Sequence, residues 1–196
     1  MLLAGITIMI VGHTRAVASV EHNIGHFIEM KTLEKFGKTP YHGATVGVAT
    51  LMVYPLFKRF AEEDLSGLDV GALTPMDPEA RRAFMLESYG DVAANTIMSE
   101  NPGDFLSTEE LRRRAQRAKE RFADIKAVID GMPAYEDVAK AMRELGAPMT
   151  MAELGVDAEM EKVSMHCAKD YRTRYTLFKT LDEVGLLQKY LTEAGY

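Results

Sequence analysis

A single cysteine, Cys167, is the entire thiol content of the 196-residue chain. One thiol can form no internal disulfide and has no second thiolate with which to hold a metal. That excludes a disulfide-stapled secreted scaffold and points to a reducing, cytoplasmic setting. An excess of basic residues is also missing. Lys and Arg number 23 against 29 Asp and Glu, a net charge of −6, whereas a nucleic-acid binder concentrates positive charge. Neither DNA nor RNA is expected as a partner. No apolar run is long enough to span a bilayer, so no membrane span is expected. Residues 1–11 are apolar and Ala16-Val17-Ala18 mimics a signal-peptidase site, but no basic residue precedes the run as a secretion signal requires. The segment reads as a core helix entered abruptly, without a cap or polar lead-in, as though something upstream had been cut away.

Strand signals are absent too. No stretch alternates apolar and polar residues between hairpin turns, no internal repeat is visible, and no segment is low in complexity. There is no Gly-x-Gly-x-x-Gly turn and no strand to precede one, so these residues offer no dinucleotide-binding half.

What is present is helical spacing. The chain is 47% hydrophobic, enough for one core, and a single domain over residues 1–196 is expected. Val20, Ile24, Phe27 and Ile28 recur at i, i+4, i+7 and i+8, which predicts a helix over roughly residues 15–35, ended by Gly37 and Pro40. Val46, Ala49, Thr50, Val53, Phe57 and Phe60 form a second stripe after His42, with Pro55 as an expected kink. Asp77-Pro78-Glu79 is an N-cap followed by proline at the first helical position. Ser107-x-x-Glu110 is a capping box for a long helix to about Ile129, and Thr150-x-x-Glu153 is a third start signal. On the long helix Leu111, Ala115, Ala118, Phe122, Ile125 and Ile129 make an apolar seam. Its basic face, Arg112 to Arg114 with Arg117, Lys119 and Arg121, is expected to be solvated. The expectation is an all-α multi-helix bundle of roughly seven to ten helices.

The chemistry concentrates in histidine. Four of the five, His13, His22, His26 and His42, fall within one short stretch, and imidazole is the commonest metal ligand and acid–base group near neutral pH. His22 and His26 lie one turn apart on the same helix face. His42 starts the next helix after a short connection, from which it can converge on that pair. Three imidazoles, or two and a carboxylate, would then surround a zinc or iron ion with an open position. Spacing alone favours His22 and His26 as the ligand pair, while packing histidines on a half-buried face remain the plainer alternative. His13 and His166 are weaker candidates.

The order Gly12-His-Thr-Arg15-Ala-Val-Ala-Ser19-Val-Glu21-His22-Asn-Ile-Gly-His26, then His42-Gly43-x-x-Val46-Gly47-Val48-x-Thr50, resembles the glycerol-1-phosphate dehydrogenase family, with its G-S-S-R-P-A-S-G-x-E-H-x-x-x-H and H-G-x-x-V-G-V-G-T stretches. The resemblance continues through Gly146-Ala-Pro148, Glu153-Leu-Gly155 and the run from Ala168 through Arg172, Arg174 and Tyr175 to Gly185. It therefore covers nearly the whole chain. It implies the all-α C-terminal, metal-binding domain of a dehydroquinate synthase-like fold, without the N-terminal α/β nucleotide-binding domain. By the resemblance, His22 and His42 are the metal ligands and His26 stays off the metal as the catalytic residue, contacting substrate or relaying a proton. Arg15 and Thr14 are implied as substrate contacts. The family's third ligand, an aspartate, and its NAD(P) site belong to the absent domain. Glu21 is a poor substitute for that aspartate, since it points about 100° round the helix from His22.

The implied activity is NAD(P)-dependent interconversion of dihydroxyacetone phosphate and sn-glycerol 1-phosphate, or of a related polyol phosphate, by the metal-binding half of an oxidoreductase that needs its other domain. A separate α/β subunit or a second copy of the chain are the implied partners. Gly25-His26-Phe-Ile-Glu29 also echoes the dehydroquinate synthases, which makes a lyase or cyclase the enzymatic alternative. A catalytically dead helical scaffold is the other.

Overall fold

A computed structural model describes residues 2–13 and 17–196. Among the described residues there are eleven α-helices and no strand, and no helix is long and apolar enough to cross a membrane. They are α1 (Leu2–Val11), α2 (Val20–Phe36), α3 (His42–Ala61), α4 (Pro78–Tyr89), α5 (Asp91–Glu100), α6 (Thr108–Glu120), α7 (Phe122–Asp130), α8 (Tyr135–Glu144), α9 (Ala158–Cys167), α10 (Leu177–Glu183) and α11 (Leu187–Glu193).

The count exceeds the expected range because two runs are broken. Gly90, at φ 78°, separates α4 from α5. Arg121, at φ −102° and ψ 14°, ends α6 and begins α7 within what the sequence presents as one helix.

The apolar stripe of α2 forms the centre of the body. Val20, Ile24, Phe27 and Ile28 are all essentially inaccessible to water, each worth roughly 1.5–3 kcal/mol of hydrophobic stabilisation. This face packs against α3 and α9, while α3 in turn packs on α7 and α8. On α3, Ala49, Val53 and Phe60 are buried and Val46, Thr50 and Phe57 half-buried, with Pro55 exposed on the outer face. Gly37 ends α2 in the left-handed conformation at φ 69°, its amide donating to the Leu33 carbonyl, as a glycine C-cap does.

Gly25 explains why α2 and α3 can approach so closely. A Cβ built there would meet Val46 Cγ2 at 3.1 Å, so the missing side chain sets the helix separation, at the usual cost of glycine inside a helix.

The caps behave unequally. Asp77 accepts from the amides of Glu79 and Ala80 at 3.0 Å each, and Ser107 accepts from the Glu110 amide at 3.1 Å. The Glu110 carboxylate is engaged instead by Arg113 and Arg114. At Thr150 the start signal produces only a short 3-10 turn, Ala152–Leu154, closed by Gly155 at φ 75°. The helix proper begins at Ala158, where Asp157 accepts from the Met160 amide.

The opening segment corrects the expectation of a core helix. It is helical, but Met9 and Ile10 are 83% and 80% exposed and Ile6 and Val11 about half exposed. Among the described residues no other helix makes a substantial packing contact with α1, and apolar composition alone does not specify what lies opposite it.

Candidate metal centre

The histidines come together where α3 begins alongside the first half of α2. The ring centroids of His22 and His42 are 5.4 Å apart and tilted by 59°. Those of His26 and His42 are 5.0 Å apart and stacked at 25°, and His26 also stacks on Tyr171 at 5.5 Å.

His22 and His42 each face a carboxylate. Glu21 Oε1 lies 2.9 Å from His22 Nδ1 and also accepts from the Ser19 amide at 2.7 Å. Burial works against the charge of Glu21, but the hydrogen bonds from His22 and from backbone amides hold its carboxyl below the ordinary value. Glu29 Oε1 lies 2.7 Å from His42 Nδ1 and accepts from Thr45 Oγ1 at 3.3 Å. A carboxylate accepts, so each Nδ1 is placed to donate to it, and a neutral ring held this way keeps its Nε2 lone pair for an ion. This is the orientation that carboxylate partners impose on metal-binding histidines. Two imidazoles on one tetrahedral ion, at the usual ligand distances of about 2.0–2.1 Å, place their centroids roughly 5 Å apart. The spacing of His22 and His42 fits that requirement.

A second donor set shares the site. One ligating atom each from His26, Glu29 and His42 lie within 4.8 Å of one another, with Glu29 Oε2 3.4 Å from His26 Nδ1. In this set Glu29 Oε1 is already engaged by His42 Nδ1.

His26 is half-buried. Burial lowers its pKa, helped by the nearby His42 and Arg172 and opposed by Glu29, so the ring tends towards the neutral form that can accept a proton. A cleft of about 570 Å³ opens over His13, His22, His26 and Asn23, and its far wall is Arg172 to Arg174. That wall is anchored from below. Asn23 Nδ2 donates to the Ala168 carbonyl at 2.7 Å, the Tyr89 hydroxyl to the Cys167 carbonyl at 2.9 Å, and Arg174 to the Ala18 carbonyl at 2.8 Å. The Arg172 guanidinium lies 5.0 Å over the Tyr171 ring, a cation–π contact.

Of the residues expected from sequence, the structure thus brings His22, His26 and His42 into one cluster and puts His13 on the rim of the cleft. Thr14 and Arg15 lie outside the described residues. His166 is elsewhere, in a groove between α2, α4 and α9. Sequence reasoning does not single out Glu29, Tyr171, Arg172 or Arg174 as site residues. For Glu29 the signal is its place three residues after His26, on the same helix face. Glu21 faces the His22 Nδ1, a role that its angular offset on the helix does not suggest.

No family model matches the chain, and no solved structure matches it significantly. Among curated proteins, the glycerol-1-phosphate dehydrogenase [NAD(P)+] of Bacillus licheniformis is 25% identical over 187 residues, covering 95% of this chain and 34% of that protein. That of Halalkalibacterium halodurans is 23% identical over 183 residues, covering 93% and 36%. That of Bacillus subtilis is 31% identical over 100 residues, half of this chain. The chain spans about a third of the length of the first two. Along nearly its whole length, then, the chain is similar to the C-terminal part of the glycerol-1-phosphate dehydrogenases.

Proposed function

We propose that this chain is the metal- and substrate-binding half of a glycerol-1-phosphate dehydrogenase-like oxidoreductase. The observation that carries the reading is the close approach of the His22 and His42 rings, each with its Nδ1 against a carboxylate. The relatives, named for this activity with NAD(P)+, support it from a separate direction.

In this reading His22 and His42 hold a zinc or iron ion through Nε2, and a carboxylate from an α/β domain outside these residues completes the set. The ion, when bound, polarises the substrate oxygen as a Lewis acid. His26, off the metal and stacked between His42 and Tyr171, relays the proton that this oxygen gains or loses. Arg172 and Arg174 supply the positive wall against which a substrate phosphate is oriented, since guanidinium forks match phosphate oxygens. A nicotinamide cofactor held by such an α/β domain would supply the hydride chemistry. Dihydroxyacetone phosphate and sn-glycerol 1-phosphate, or a related polyol phosphate, are the substrate pair.

The test is complementation. The chain is mixed with the nucleotide-binding domain of the Bacillus licheniformis relative and supplied with zinc, NADH and dihydroxyacetone phosphate. NADH oxidation that disappears in His22→Ala and His42→Ala supports the proposal. Metal uptake by the chain without oxidation in any such mixture would instead favour a binding scaffold.

A further inference from the structure

Between α9 and α10 the chain runs from Ala168 to Thr176 without a regular helix. This connection brings Tyr171 to the face of His26 and places Arg172 to Arg174 in the wall of the histidine cleft. With no helical ladder, its backbone groups must find partners elsewhere.

The partners come from the buried charges of the molecule. Among the described residues the buried charged side chains are Arg81, Lys169, Asp170, Lys179 and Glu183, and all five lie on this connection or against it. Arg81 of α4 pairs with Asp170, and Lys169 reaches Asp170 at 3.1 Å and Asp182 at 3.2 Å. On α10, Lys179 Nζ donates to the Arg172 carbonyl at 3.0 Å. Glu183, one turn further along, accepts from the Tyr175 hydroxyl. Arg114 Nη1 holds Glu183 in turn at 3.0 Å, so one arginine of the α6 face expected to be solvated points inward. All five buried side chains line a single void of about 20 Å³.

Such a cluster is a poor way to stabilise a core. Taking charges out of water costs several kcal/mol per ion, and well-packed apolar residues of similar volume are often as stabilising or more so. What a charge offers over a methyl group is direction. A buried ammonium must meet an oxygen and a buried carboxylate a donor, so a displaced connection would leave either one unanswered. The connection is thereby confined to one position, and with it the Tyr171 ring, 5.5 Å from His26.

We infer that Lys179 and Glu183 are positioning residues for the histidine cleft. From α10 they clamp the connection at Arg172 and Tyr175, so that Tyr171 stacks on His26 and Arg172 faces the cleft, which neither of them lines. The consequence for a substrate rests on the function proposed above, whereas the clamp itself does not.

Nuclear magnetic resonance of the histidine-labelled, metal-free chain reads the His26 ring directly, at about pH 8, where imidazoles are neutral. The His26 signals are identified by their loss in His26→Gln, and Tyr171→Leu gives their unstacked positions. In Lys179→Met and in Tyr175→Phe they are expected to move towards those positions. His166, in a separate groove, and the helical circular dichroism signal should not change. Tyr175→Phe removes only a hydroxyl from a residue that is 53% exposed, which keeps the inference testable should Lys179→Met fail to fold. His26 signals that stay at their wild-type positions in a folded variant would overturn it. In the complemented enzyme, KM for dihydroxyacetone phosphate should rise about tenfold with kcat changed less, a loss of orientation rather than of chemistry. An unchanged KM there would equally overturn the positioning role. Failure of complementation itself would count against the proposed activity alone, since the His26 signals are read without a second domain.

Discussion

Glu29 Oε1 stands 2.7 Å from His42 Nδ1, joining the middle of α2 to the first residue of α3. Through this contact the carboxylate fixes both the tautomer and the angle of the imidazole. Substituting Glu29 should therefore act on the site through His42. Glu29→Gln is expected to lower zinc affinity by about 10- to 100-fold, the usual effect of losing an orienting partner. The helical circular dichroism signal should be unaltered. Competitive titration against a chelating dye measures the affinity, and a change below about twofold would exclude a positioning role.

Gly25 permits the approach of the two helices that carry the site. Gly25→Ala gains up to about 1 kcal/mol of helix propensity but drives a methyl group to 3.1 Å from Val46 Cγ2, on a β-branched side chain that is stiff at χ1. Global stability should change by no more than about 1 kcal/mol, because the two effects oppose each other. Metal affinity should fall as the start of α3 moves away from His22. Urea unfolding and metal titration on the same variant separate the two, and unchanged affinity would mean that this contact does not set the ring spacing.

His166 gives a pH dependence remote from the metal centre. Burial and the neighbouring Lys162 lower its pKa, against a hydrogen bond that the ring donates to the Tyr196 backbone, which raises it. With the folded value below the unfolded one, near 6.5, the unfolded chain binds the proton first. The contribution to stability is then complete above about pH 6.5, declines as pH falls below it, and levels off under the folded value. His166→Gln should flatten the stability profile over that acid window, as measured by urea midpoints at a series of pH values. An unaltered profile would show that the ring titrates alike in both states.

Much of the architecture is written in periodicity. The stripe Val20, Ile24, Phe27 and Ile28 marks the buried face of α2 residue by residue, and Asp77 and Ser107 mark two helix starts. The breaks are less visible. At Arg121 the apolar seam runs straight on, with Leu111, Ala115, Ala118 and Ile129 all buried, so the interruption leaves the hydrophobic pattern intact. The opening helix misleads for the opposite reason. Its residues are apolar enough for a core, but burial depends on a neighbour, and sequence does not reveal that Met9 and Ile10 are left exposed. At the site, the histidine spacing announces the cluster. The stacking of His26 on His42 and Tyr171 depends on how α3 and the segment after α9 close over α2.

Cobalt binding to the purified chain tests the central claim most directly. Cys167 is fully buried and its thiol is pushed up to about 12 by burial, so no thiolate band should obscure the histidine signal. The account predicts one ion per chain, an affinity reduced at least roughly tenfold in both His22→Ala and His42→Ala, and little change in His26→Ala. Cobalt binding that survives His22→Ala but is lost in His26→Ala would contradict it and place the ion among His26, Glu29 and His42 instead.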